Sequence, residues 1–580
     1  MATLLLSAAG AAVGGMVGGS VAGLSAVAIG RFVGGVLGNA IDQRIMGPGS
    51  RTIETGRIDR YRITGTGEGR PIARLFAKQR IGGHVIWATE FAETVTTSGG
   101  GKGRPSGPTV QAFSYSVSLA IGLCEGEISG VTRVWADGEE IALQDLNMRI
   151  YTGNETQLPD PKIEAVEGMN AVPAYRGLAY VVFEDLALER FGNRVPQFSF
   201  EVSRPSPRAQ DGAAFEPSFG TRAVALIPGS GEYALATEPV YVQQDVATQR
   251  AVNMNAPSGL TDFATSMATL EQELPNCDAV SLVVSWFGND LRCGQCEVRP
   301  KVEAVDIETS LAWEVAGVAR ADAQQVPRED GRPLYGGTPA DASVIQAIRH
   351  LRELGKEVMF YPFILMDQVA GNGLPDPWSD ADNQPVLPWR GRITLSQAPG
   401  RPGSPDQTVS AAGEVADFFG SAQASDFSVA DDSVTYSGPD EWRYRRFILH
   451  QAALCAAAGG VESFCIGSEM RSLTWIRGAL DEFVAVTQLI DLAADVRAIL
   501  GPEVKIGYAA DWSEYFGCHP QDGSGDLWFH LDALWADANI DFVGIDNYMP
   551  LSDWRDGADH ADAGWGSIYD LDYLMSNVEG

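Results

Sequence analysis

Val461-Glu-Ser-Phe-Cys-Ile-Gly-Ser-Glu-Met-Arg-Ser-Leu-Thr-Trp475 decides how the rest of the chain is read. A short apolar run ends in Ile466-Gly467-Ser468-Glu469. Ahead of it, over 442–459, Trp442, Phe447, Ile448, Ala452 and Cys455 recur at the spacing of an amphipathic helix. A helix, a short buried strand and a carboxylate at the strand's C-terminal end make one unit of an α/β barrel. In such barrels chemistry gathers at that end of the strands.

Working outward, the same unit repeats. Apolar runs at 223–227, 279–286, 357–364, 462–467, 504–509 and 540–545 read as strands. Helical patterns near 260–275, 341–354, 442–459, 483–499 and 527–538 lie between them. Regular alternation of strand and helix predicts a parallel sheet, either a barrel or an open sheet of six strands. Two long insertions, 287–340 and 366–440, both follow strands and so belong to the loop face. The second is rich in Pro, Gly and Asp and is expected to hold little regular structure. Six units are fewer than eight, and the chain reaches Gly580 in or just after a helical pattern. The expectation is a TIM-barrel-like domain over 218–580 that is incomplete within this chain.

Upstream, 1–50 is a Gly/Ala-rich apolar segment whose first charge is Arg31. Gly14, Gly18, Gly19 and Gly23 give small faces on which helices approach closely. A packed helix or hairpin, a segment that enters a membrane, and a secretory signal all fit this stretch. Region 51–217 is β-rich. Val110–Ile121 largely alternates apolar and polar residues, and Val131–Ala136 leads into Asp137-Gly138, a tight hairpin turn. The fold class is therefore multidomain α+β: helical segment, β-rich domain, then barrel.

The formal charge of −33 argues against a protein that binds nucleic acid by neutralising phosphate. It suits a wall past which DNA slides, or simply a solvated acidic surface. The 7 cysteines are odd in number and scattered, so they build no disulfide framework. Cys293-Gly-Gln-Cys296 stands without a second pair and reads as two thiols or a local clip. No P-loop, dinucleotide fingerprint or nucleophile elbow occurs, so no cofactor and no metal is expected.

Within 57–204, Gly82-Gly-His-Val-Ile-Trp87, Leu123-Cys-Glu-Gly-Glu-Ile128, Val134-Trp-Ala-Asp-Gly138 and Tyr151-Thr-Gly-Asn-Glu-Thr-Gln157 resemble tail-tip proteins of long-tailed phages. So do Pro173-Ala-Tyr-Arg-Gly177 and Phe191-Gly-Asn-Arg-Val-Pro196. The closest likeness is to the large baseplate hub protein of gene transfer agents, phage-like particles that carry host DNA. The resemblance implies a homotrimeric ring continuing the tail tube, made in the bacterial cytoplasm and located at the particle's tail tip. Its implied partners are the distal tail protein, hub and tape measure, and the host cell envelope, with DNA only in passage. It also implies that this chain is the front part of a longer protein.

The barrel resembles glycoside hydrolases with an acid/base Glu closing strand four and a nucleophile Glu closing strand seven. Glu469 matches the first of these, with Ser468 where those enzymes carry Asn. Gly544-Ile-Asp-Asn-Tyr-Met-Pro550 resembles the end of strand six. Such enzymes need two carboxyls across the scissile bond. Asp511, Glu514 and Asp546 follow strands and are placed to supply charge or a partner. Trp286, Tyr361, Trp512 and Tyr548 lie at strand ends, where aromatic faces suit sugar rings. Against this stand plainer readings: Glu469 paired with Arg471 or Arg477, aromatics that only pack, and His450 as a surface or capping residue. His519 beside Cys518 is a weak metal signal without a third ligand.

Overall fold

The computed structural model describes residues 20–21, 24–25, 71–98, 110–143, 146–169, 171–192, 194–204, 217–228, 231–245, 248–256, 258–520 and 523–579. Of the apolar N-terminal segment this leaves Ser20–Val21 and Leu24–Ser25, which pair as antiparallel strands. The helical expectation for 1–50, with Gly14, Gly18, Gly19 and Gly23, otherwise lies outside the described residues.

The β-rich region forms a six-stranded and a four-stranded sheet. The 16-residue strand Val110–Glu125 carries the first sheet and pairs with Leu178–Ala187, His84–Ala88 and Ala92–Ser98. Alternation along these strands sends Leu119, Ile121, Val181 and Phe183 into one core with Val134, Phe198 and Phe200 of the second sheet. The hairpin Gly130–Ala136/Glu139–Ile141 turns at Asp137 and Gly138, with φ of 52° and 92°. Positive φ at both positions is what a two-residue type I′ turn demands, and Asp-Gly meets it at low cost.

The barrel-like domain carries six parallel strands: β1 (Ala223–Leu226), β2 (Ala279–Gly288), β3 (Glu357–Met366), β4 (Ser463–Ser468), β5 (Lys505–Asp511) and β6 (Phe542–Asp546). They pair in chain order and curl into a half-barrel, with no pairing of β1 to β6 among the described residues. The helices α1 (Asp262–Glu273), α2 (Asp341–Glu353), α3 (Tyr444–Ala457) and α4 (Val484–Leu500) run between them. Each strand alternates between two environments. In β2, Leu282, Val284 and Trp286 join the large core under the helices, while Val283 joins a separate inner layer with Tyr361, Cys465 and Ala509.

Three elements differ from the sequence reading. Helix α3 is buried on nearly every side rather than amphipathic. Its two arginines find partners there: Arg445 pairs with Asp495, and Arg446 lies over Trp442 at 3.6 Å. The insertion 366–440 is not largely irregular. It holds helix Val409–Phe419 and the hairpin Phe427–Ala430/Ser433–Tyr436, and that hairpin packs on α3. The helix expected over 527–538 shrinks to Asp532–Trp535, because Trp528 bridges Cys518 in an extended pairing. Cys293 and Cys296 are buried free thiols.

Candidate functional site

The C-terminal end of β4 is irregular for identifiable reasons. Its pairing with β5 shifts register between Cys465 and Ser468, and Glu469 N–H then donates to Ala509 O at 2.8 Å. Such a bulge re-aims a side chain. Gly467 is required here, since a Cβ would meet the Tyr444 hydroxyl at 2.1 Å. Glu469 follows with φ of 51°, left-handed and costly for a residue with a Cβ.

This backbone delivers the Glu469 carboxylate, 5 % exposed, to two donors from the insertion. Trp389 Nε1 donates to Oε2 at 2.8 Å, and Arg390 Nη2 approaches the same oxygen at 3.0 Å. Arg390 is itself locked by Ser468: Nε donates to the carbonyl and Nη2 to Oγ, both at 3.0 Å. Its guanidinium lies 3.8 Å over the Phe363 ring. The cation that holds Glu469 is thus Arg390 rather than a neighbour in sequence. Arg471 instead covers Trp475, and Arg477 pairs with Asp406. Neither Trp389 nor Arg390 was legible as a site residue, because both sit in the insertion read as irregular. The signal present was Trp389-Arg390-Gly391-Arg392 on the loop face. Gly391 leaves room for the Trp389 ring, which a Cβ would meet at 2.4 Å.

Glu469, Tyr361, Asp546 and Tyr548 line one cavity of about 730 Å³ inside the half-barrel, together with Arg390 and Phe363. The Tyr361 hydroxyl donates to Asp546 Oδ2 at 2.5 Å. Asp546 also lies within hydrogen-bonding reach of Glu469. Burial first, then the Glu469 charge, push its carboxyl up to about 6, against the opposing pull of Tyr361 and Arg390. Burial and the Asp546 charge raise the Tyr361 hydroxyl. The Glu469 charge does the same to Tyr548, which is 68 % exposed at the mouth. Burial and the neighbouring Glu469 charge thus let Asp546 keep its proton into the mildly acid range. Such a pair can donate a proton to a leaving oxygen at mildly acid pH, beside aromatic faces that suit a sugar.

The remaining predicted residues lie elsewhere. Trp286 is turned away from the cavity and packs against Trp442, Phe447 and His450. Strand alternation explains it, since Ser281, Val283 and Ser285 are the inward positions of β2. Trp512 opens the short helix after β5 and is not part of the cavity wall. His450 is neither a surface nor a capping residue: it is fully buried and bonds Asp341 at 3.0 Å. Asp511 caps the Trp512–Tyr515 helix.

Glu514 is fully buried behind the site. It accepts from Thr474 Oγ1 at 2.6 Å, Tyr508 Oη at 2.8 Å and Asp511 N–H at 3.1 Å. Tyr508 Oη in turn accepts from Met470 N–H at 2.9 Å, so this network braces the residue next to Glu469. Burial pushes the Glu514 carboxyl up to about 7 and, on the same network, His530 down to about 4. Glu514 therefore holds its proton in the folded state over a window where the unfolded chain has released it. The Glu514 contribution to stability thus falls as pH rises from about 4.5 to above 7, while His530, held neutral by burial, contributes the opposite trend between about 4 and 6.5. The Glu514 share is roughly 3 kcal/mol at 1.36 kcal/mol per unit. Urea unfolding should show the stability difference between wild type and Glu514→Gln shrinking by about that much from pH 5 to pH 8, the His530 contribution being common to both chains. An unchanged difference would mean that Glu514 is ionised in the fold.

Among curated proteins there is no match. Among solved structures, a chain in the virion of a native gene transfer agent (GTA) particle is 50% identical over 39% of this chain and 44% of that one, with TM-score 0.24. The chain thus spans less than half the length of that relative. A GH113 β-1,4-mannanase complex is 15% identical over 55% of this chain and 62% of that one, TM-score 0.25. The GH113 β-mannanase of Alicyclobacillus acidocaldarius in complex with ManMIm is 15% identical over 48% and 54%, TM-score 0.22. The stretch from Trp442 through α3, the Glu469 strand and β6 to the end, residues 442–580, matches the family model of the GTA TIM-barrel-like domain.

Proposed function

We propose that this chain is a structural tail-tip component of a gene-transfer-agent-type particle, a trimeric baseplate hub that closes the tail tube, meets the host envelope and lets DNA pass. The observation that carries the reading is the family-model match over 442–580. The motif likeness across 57–204 supports it from the other half of the chain. The −33 charge agrees with a conduit that DNA does not stick to. Electron microscopy of intact particles should find three copies around the tail axis. A single copy, or a position away from the tip, would overturn the reading.

A second activity sits within this role. Asp546, holding its proton up to about pH 6 beside Glu469 in a cavity with aromatic walls, favours a barrel that cleaves a glycan of peptidoglycan or of a surface polysaccharide. Glu469 is the general acid/base of that reading. Tyr361 orients Asp546, and Tyr548 offers a ring to the sugar. Arg390 and Trp389 fix the Glu469 carboxylate in place without a metal ion or cofactor in the scheme.

A further inference from the structure

We propose that the cleft between the 376–407 part of the insertion and the segments 472–477 and 518–520 is a second sugar site, which takes a neutral pyranose unit of an envelope glycan. It rests on the reading that the barrel face meets such a glycan, but not on cleavage. The cleft holds about 400 Å³ and shares no wall residue with the Glu469 cavity. That volume falls in the range of small-ligand pockets. Trp475 stands six residues beyond Glu469, so both sites open on the loop face of β4.

Two half-buried indoles, Trp378 and Trp475, form its apolar walls. Trp378 is held rigidly, with Nε1 donating to Arg392 O at 2.9 Å. The Trp475 N–H has no acceptor, so hydrogen bonding within the chain does not account for a tryptophan there. A large ring for stacking does. Arg471 lies over this indole at 4.1 Å, and its buried Nε is likewise without a partner.

The same wall carries a hydroxyl-binding group of the right kind, Asp406. Asp406 Oδ1 accepts from Arg477 N–H at 2.8 Å, and Arg477 Nη2 lies 3.7 Å from Oδ2. A carboxylate offers about four acceptor positions, so Asp406 retains capacity for sugar hydroxyls. Ser472 and Gln407 add polar atoms to the lining. Asp406, the one acidic wall residue, is paired with Arg477, so the cleft offers no unpaired wall charge for an acidic sugar and suits a neutral one.

The test is titration calorimetry of the full chain with tetrasaccharides of glucose, mannose and N-acetylglucosamine, and with a polyuronate of equal length. At least one neutral tetrasaccharide should bind. Trp378→Ala and Trp475→Ala should each weaken it about tenfold or more, as for a buried aromatic anchor. Trp475→Phe breaks no bond within the protein, so it separates lost stacking from lost folding and should show a smaller loss of the same sign. Trp512→Ala, at a residue outside the walls of both cavities, should leave this binding within about twofold. Binding of the polyuronate alone, or of no neutral sugar, would overturn the proposal. So would neutral-sugar binding that falls with Tyr548→Ala and not with Trp475→Phe; that result would place the glycan in the Glu469 cavity and leave the cleavage reading standing. Loss of wall clearing on Glu469→Gln with no calorimetric signal at the tryptophans would likewise separate the two.

Discussion

Glu469→Gln in the assembled particle is expected to lower clearing of purified host cell wall by about 10²–10⁴-fold, the usual weight of a general acid/base group. The amide keeps an acceptor for Trp389 and Arg390, so the strained turn at φ 51° and its donors stay in place. What disappears is the second carboxyl of the pair. Glu469 is one of the groups that raise Asp546, so its neutralisation should drop the Asp546 carboxyl from about 6 toward the ordinary range. Residual clearing should therefore lose its acid limb near pH 6 as well as its rate. Particles should form normally, because the exchange is buried inside the barrel-like domain and keeps its donors. Clearing that is unchanged in the variant would remove Glu469 from the chemistry. A wild type that clears no wall polymer would end the catalytic reading and leave a docking barrel.

The strand ladder was open to reading because buried parallel strands are short apolar runs separated by helical periods, and the chain shows six such runs with five helical patterns between them. Glu469 was legible for the same reason: a carboxylate just past such a run falls on the loop face. Trp286 shows the limit. Being within a strand gives a residue a face, and the face depends on register, which one residue decides. The alternation Ser281, Val283, Ser285 against Leu282, Val284, Trp286 was visible, and the more apolar face turns to the helices while the serine-bearing face lines the cavity, so Trp286 lies on the wrong side for a sugar. Arg390 and Trp389 were hidden by distance, with about 80 residues between them and the carboxylate they hold. No periodicity links a loop to a strand end. The burial of α3 was hidden too, because its arginines read as a polar face until Asp495 and the Trp442 ring are found against them.

Arg320→Met should destabilise the barrel-like domain by about 3–5 kcal/mol, the cost of leaving one partner of a buried ion pair alone. Both side chains of the Arg320–Glu232 pair are under a tenth exposed. Arg320 also donates to Ala304 O at 2.9 Å and Tyr233 Oη at 3.1 Å. Glu232 accepts from Glu303 N–H at 2.8 Å, and Gly337 packs so closely that a Cβ would meet its side chain at 2.5 Å. The pair thus staples the loop after β1 to the whole 289–340 insertion. A guanidinium removed leaves a carboxylate with no counter-charge and nowhere to move. The double variant Glu232→Gln with Arg320→Met removes both charges and should recover a large part of the loss, since the uncompensated ion is the main penalty. Urea unfolding followed by tryptophan fluorescence reads both. The same insertion brings Tyr335 to the cavity wall, where its hydroxyl donates to Met366 O at 3.3 Å and its ring meets Phe287. Loosening the staple should therefore weaken glycan retention at the Glu469 cavity before the domain unfolds. A single variant as stable as wild type would mean that the insertion is held by its other ties, among them the buried Lys301–Asp367 pair and the Tyr233 hydroxyl donating to Leu311 O at 2.8 Å.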